Sequence, residues 1–180
     1  QIGRGPRDQG GGVGLIEISL GGGEPLGRQI QDPGAFLLMV LVRDIDGTFT
    51  RLQQLGAPIV TRGGKPLDTG GWRVVVVQDP AGHFVQLMQL PRLPATSDNV
   101  LHVSFRHTVA NLERSLAFYR DALGLQVRIS APDYGNVPSD LIEVLGLPEY
   151  TQWRYAFPGI PTPGIQLELV EFKGARSFEP

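Results

Sequence analysis

The stretch HVSFRHTVANLERSLAFYRDALGL, residues 102–125, decides the fold. Its first half, HVSFRHTV, is a short extended run rich in β-branched and aromatic residues and reads as a strand. Asn111 is a favoured helix N-cap. Leu112, Leu116, Tyr119 and Leu123 then recur at helical spacing, and Gly124 ends the run. QVRIS (126–130) follows as a second strand. A longer insertion comes next, with Ser139 expected to cap a short helix over 140–147. QWRYAF (152–157) and GIQLELVEF (164–172) complete a βαβββ order.

The same order stands earlier in the chain. AFLLMVLVR (35–43) is a continuous apolar run suited to a buried strand. Asp44 is an N-cap for a helix carrying Ile45, Phe49, Leu52 and Leu55, with Gly56 at its end. PIVTR (58–62), WRVVVVQD (72–79) and HFVQLMQL (83–90) read as the three strands that follow, the last two joined by a DPAG turn. Matched punctuation over two segments marks an internal repeat, which outweighs single-residue cues. The expected organisation is a partial module tail and connector over 1–34 and a βαβββ module over 35–90. A linker over 91–100 then leads to a second module over 101–180, with an insertion at 131–150. GLIEISL (14–20) echoes the closing strand 164–172. Its Glu17 is either the matching acid of a partial module or an exposed strand residue.

Bulk properties narrow the class of function. With 180 residues, 41% hydrophobic and 19% charged, the chain can bury a core and is not compositionally disordered. A net charge of -2 offers no electrostatic reason to bind nucleic acid or an anionic membrane. No apolar run approaches the roughly 20 residues of a membrane helix. Cysteine is absent, so a metal could be held only by His, Asp, Glu and weaker oxygen donors. Composition leaves the compartment open between cytoplasm and export. The GGG runs at 10–12 and 21–23 lack the context of a phosphate loop, and no nucleophile elbow is present.

Two tandem βαβββ modules with LERSLAFYRDALGL in one and DPAGHFVQLMQ in the other resemble the vicinal oxygen chelate superfamily. This group includes glyoxalase I, bleomycin-resistance proteins, extradiol dioxygenases and methylmalonyl-CoA epimerase. The resemblance implies an α+β fold in which paired modules curve into a mixed-sheet cup with helices outside. It also implies a divalent metal (Zn, Fe, Mn, Ni or Mg) chelating neighbouring substrate oxygens, and a homodimer in which modules can pair between chains. Carried over by position, the ligand slots fall on Leu37 and Gln86 in the first module and on Ser104 and Glu168 in the second. Leu37 cannot bind a metal and Gln86 is a poor ligand, so the constellation is degraded and absence of metal is the expectation.

Strand parity sorts the remaining candidates. His102, Ser104 and Arg106 share the cup face, whereas His107 faces the helix layer. Glu168 is the candidate catalytic or metal-binding group, with His102 as a second metal donor. A buried carboxylate needs a partner, and Arg106 is the first candidate. Ser104, Arg106, Gln86, Leu37, Met39, Trp153 and Tyr155 are the candidate substrate-binding residues, and Leu41 extends the apolar wall. Trp72, Tyr134 and His83 read as structural or packing residues. Two readings follow: a glyoxalase- or dioxygenase-like enzyme with a degraded metal site, or a non-catalytic small-molecule-binding protein of the bleomycin-resistance type.

Overall fold

The computed structural model describes residues 27–93, 98–161 and 165–175. The expected strand at 14–20, with Glu17, lies outside them. In the first module the order is β1 (Phe36–Val42), α1 (Ile45–Gln54), β2 (Leu67–Thr69), β3 (Trp72–Gln78) and β4 (Phe84–Gln89). The second runs β5 (Val100–Thr108), α2 (Leu112–Leu116), β6 (Gln126–Asn136), α3 (Ser139–Leu145), β7 (Gln152–Gly159) and β8 (Leu167–Phe172). All eight strands form one mixed sheet in the order β2-β3-β4-β1-β5-β8-β7-β6. The α+β reading holds: a curved sheet built from two βαβββ units. Within each module the first and last strands are parallel neighbours, and the modules join through the antiparallel β1–β5 pair.

Both expected helix caps form. Asp44 accepts from the Gly47 N–H, and Asn111 accepts from the Arg114 N–H. α1 packs Ile45 and Phe49 against Val42, Val75, Val77 and Leu87, while α2 packs Leu112 and Leu116 against Ala156 and Leu169. Both helices thus cover the outer face of the sheet. After Leu116 the helix continues as a π-helical turn, Ala117–Ala122. The wider turn breaks the 3.6-residue spacing, so Leu123 points to solvent at 55% exposure instead of joining the core.

Three local expectations differ from the structure. PIVTR contributes only an isolated bridge, Ile59 to Val77, because the Thr61 hydroxyl accepts the Val76 N–H and donates to the Val144 carbonyl. The second strand forms later, at Leu67–Thr69. β6 runs on to Asn136, beyond the expected start of the insertion, and absorbs the extra residues in register shifts between Ala131 and Gly135. Pro138, not Ser139, stands at the N-cap position of α3, with no side-chain cap bond.

The insertion settles what fills the cup. α3 lies on the concave face, against β2, β3 and the short 3-10 turn Arg62–Gly64 of the first module. Ile142, Val144, Leu145 and Leu147 join Leu37, Met39, Val74, Val76 and Phe84 in the largest core cluster. Fully burying each such side chain is worth about 1.5–3 kcal/mol. Arg62 pairs with Glu143 at 2.8 Å and also donates to the Leu147 carbonyl, while Thr69 donates to Asp140. Gly146 ends α3 at φ 63°, and a Cβ there would lie 2.8 Å from the Val60 carbonyl oxygen, so only glycine fits this close approach. Truncating Leu145, which is 1% exposed, to Ala should lower unfolding free energy by about 2–5 kcal/mol in urea titration. A loss under about 1 kcal/mol would mean that α3 is not part of the core.

Candidate functional site

Register places the candidate residues on the concave face in successive rows. Leu37 stands between Phe84 on β4 and Arg106 on β5, and Arg106 is paired in turn with Glu168 on β8. One pleat along, Met39 stands between Gln86 and Ser104. The four slots expected from the modular alignment, Leu37, Gln86, Ser104 and Glu168, are all buried on one side of the sheet. β7 adds a ladder of aromatic rings at every second residue. Trp153 and Tyr155 have centroids 5.2 Å apart, and Tyr155 and Phe157 are 5.8 Å apart. Trp153 also stacks on Phe172 at 6.2 Å. Phe157 is an addition to the sequence reading, although its i, i+2 spacing from Tyr155 was visible there.

Arg106 and Glu168 form a buried ion pair. Arg106 Nε donates to Glu168 Oε2 at 2.7 Å, and their side chains are only 10% and 6% exposed. The guanidinium carbon lies 5.7 Å from the Trp153 ring centroid. Arg106 Nη1 is buried with no hydrogen-bond partner among the described residues. The cup is therefore divided: α3 fills the first module's half, while the second module's half presents this ion pair beside half-buried Trp153, Tyr155 and Phe157.

These residues do not fit a divalent cation. Leu37 has no donor atom, Gln86 is neutral, and the Glu168 carboxylate is engaged by a cation of the protein itself. The expected pairing of His102 with Glu168 does not form a site either. His102 stands opposite Leu41, four residues along β5 from Arg106. That places it about 13 Å from the Arg106 row, too far for two side chains off one sheet face to share bonds of about 2 Å. Among the described residues, no group of three or more His, Cys, Asp or Glu could hold a metal ion.

A second polar cluster lies on the outer face, and the sequence reading missed it. Glu171 accepts from the Leu112 N–H at 2.6 Å, from Arg154 Nε at 2.9 Å and from the Tyr134 hydroxyl. It therefore ties the start of α2 to the sheet. Burial pushes the Glu171 carboxyl up, but the bonds from Tyr134, Leu112 and Arg154 outweigh it and hold the group below its ordinary value. Cross-strand pairing brings Arg154 and Glu171 together, which no local sequence signal reports. His107 faces outward as its parity required, beside Phe36 and Leu169, and burial lowers its pKa. Trp72 is exposed at the start of β3, and His83 lines a rim cavity of about 490 Å³ with Arg28 and Asp79. Among the described residues, no helix is long and apolar enough to cross a membrane.

The sequence model of the Glyoxalase/Bleomycin resistance protein/Dioxygenase superfamily matches residues 100–177. No curated protein matches the chain. Among solved structures, a glyoxalase I variant from Zea mays is similar at 23% identity and TM-score 0.49, covering 81% of this chain and 44% of that one. A superfamily member from Vibrio splendidus is 12% identical with a TM-score of 0.45, covering 76% of this chain and 97% of that one. A 4-hydroxymandelate synthase variant from Streptomyces coelicolor is 16% identical with a TM-score of 0.42, covering 82% and 49%. The chain thus spans less than half the length of the Zea mays protein.

Two outcomes follow from this geometry. Replacing Arg106 alone by Met leaves a buried unpaired carboxylate and should cost about 3–5 kcal/mol, whereas Arg106→Met with Glu168→Leu should recover most of that loss. Urea denaturation of the single and double variants checks it, and equal losses would refute the coupling. For His107, the unfolded chain binds a proton with a pKa of about 6.5, more tightly than the folded chain does. Stability should therefore fall as pH drops from that value towards the lower folded one. His107→Gln should flatten this slope in unfolding measured across the window.

Proposed function

Taking residues 100–177 as a module of the glyoxalase/bleomycin resistance protein/dioxygenase superfamily, we propose that the paired modules bind a small organic molecule without a metal ion. The binding face is the second module's half of the cup. The observation that carries this reading is the 2.7 Å Arg106–Glu168 pair, which commits the one good metal-ligand slot to an internal cation. What remains around it suits an organic body. Trp153, Tyr155 and Phe157 offer flat, half-buried rings beside the pair. Ligand sites generally combine apolar walls with a small number of convergent polar groups.

Of the two readings from the sequence, this favours small-molecule binding over metal-assisted glyoxalase or dioxygenase chemistry. A metal ion works as a Lewis acid by presenting an open coordination position to substrate oxygens. Leu37 and an Arg-bound Glu168 offer no such position. Proton transfer by Glu168 would have to use Oε1, since Oε2 is bonded to Arg106 Nε. Sequestration asks for nothing beyond the ring ladder and the polar pair.

Elemental analysis of the purified protein and its Glu168→Gln variant, with a thermal-shift screen of metals and small aromatic compounds, tests the reading. Both proteins should lack stoichiometric metal, and added Zn, Mn, Ni or Mg should leave the midpoint unchanged. An aromatic ligand at 100 times its Kd should add about 2.7 kcal/mol to apparent stability, a rise of several degrees. Stoichiometric metal that disappears in Glu168→Gln would overturn the proposal.

A further inference from the structure

We infer that a second site, separate from the cup, binds a neutral saccharide. It is a cavity of about 380 Å³ where the segment before β1, the turn between α3 and β7 and the end of β8 meet. One wall is Tyr150, which is 88% exposed and stands at φ 63°. A positive φ is an outlier for a bulky side chain, and Asn or Gly would adopt it at lower cost. The turn therefore carries a large ring where it strains the backbone and, at that exposure, adds little to the core. Retained strain of this kind clusters at ligand-contacting positions.

Amide side chains supply most of the polar lining. Gln31 Nε2 donates to Gln29 Oε1 at 2.6 Å, which leaves the Gln29 amide NH2 and the Gln31 amide oxygen without protein partners among the described residues. Lys173 Nζ donates to Gln152 Oε1 at 3.0 Å and keeps further N–H groups. Gln29, Gln31 and Lys173 are all reached by solvent, so a ligand can meet these groups without breaking the protein's own bonds. The exposed charges, Glu149 and Lys173, are opposite in sign and favour neither an anion nor a cation. Asp32 lies beneath at 1% exposure, and its Oδ2 accepts the Gln29 N–H.

What stands uncommitted is a mixed set of donors and acceptors beside an exposed aromatic face. A pyranose ring answers both. Hydroxyls around its rim donate and accept, and the C–H bonds of one ring face carry the partial positive charge that the negative face of an aromatic ring attracts. An anionic ligand would meet Glu149, and a purely apolar one would leave the facing amides unbonded. The cavity volume falls within the range of small-molecule sites.

Calorimetry and saturation-transfer NMR on the whole protein with maltose, cellobiose and lactose test the inference, with sorbitol, glucuronate and triglycine amide as controls. At least one disaccharide should bind with a millimolar or lower Kd, about ten-fold or more tightly than each control. In Tyr150→Asn, binding should weaken about ten-fold or more while the thermal midpoint holds or rises, since Asn accepts a positive φ. Replacing Gln29 and Gln31 together by Ala should weaken binding in the same way. The Arg106→Met, Glu168→Leu variant should bind the saccharide as the wild type does, which separates this site from the cup. No disaccharide binding at millimolar concentrations, a control that binds as tightly, undiminished binding by Tyr150→Asn, or dependence on Arg106 and Glu168 would each overturn the inference.

Discussion

The antiparallel pairing of β1 with β5 is the constraint on which the rest of the molecule depends. It sets Leu37 opposite Arg106 and Met39 opposite Ser104, and it makes two half-cups into one sheet. Each of these strands is also the parallel partner of its own module's last strand. Gln86 and Glu168 are thereby drawn towards the same centre. A slip of one residue at this junction would send every one of these side chains to the opposite face. The hydrophobic residues resist such a slip from both sides, with Leu37 and Met39 buried within the cup and Val42 buried beneath α1.

On that sheet, the two modules have put the same geometry to different uses. The first gives its concave face to α3, and the apolar side chains of the insertion complete a core. The second keeps its face partly open, with rings from β7 arranged along the edge of a buried charge pair. Thr61, Arg62 and Thr69 of the first module hold an insertion that belongs to the second. The fit is tight enough that the end of α3 must be glycine. Module pairing is therefore secured twice, by the strand junction and by this crossing segment.

Arg106 and Glu168 illustrate why a buried ion pair is poor evidence for stability and better evidence for specificity. Withdrawing two charges from water costs several kcal/mol per ion, which their attraction recovers only with good geometry and satisfied remaining donors. Here one donor is left over. The Glu171 cluster on the other face differs, since its carboxylate receives a helix N–H, a phenol and a guanidinium. That network secures α2, whereas the inner pair leaves Arg106 Nη1 buried without a partner among the described residues.

The sequence by itself determined the modular repeat, the two capped helices, the α+β class and the face on which each candidate residue lies. Those properties are local or periodic: a cap acts over three residues, and strand parity passes along one strand without reference to the rest. The expected partnership of Arg106 with Glu168 was legible for the same reason, because module alignment and parity put both on the cup face. Only the tertiary structure decided that α3 fills half of the cup, that His102 stands away from Glu168 and that Arg154 meets Glu171. It also decided that PIVTR would lose its strand to Leu67–Thr69. Each of these depends on contacts between residues distant in sequence, such as Thr61 with Val144, whose pairing no local pattern encodes.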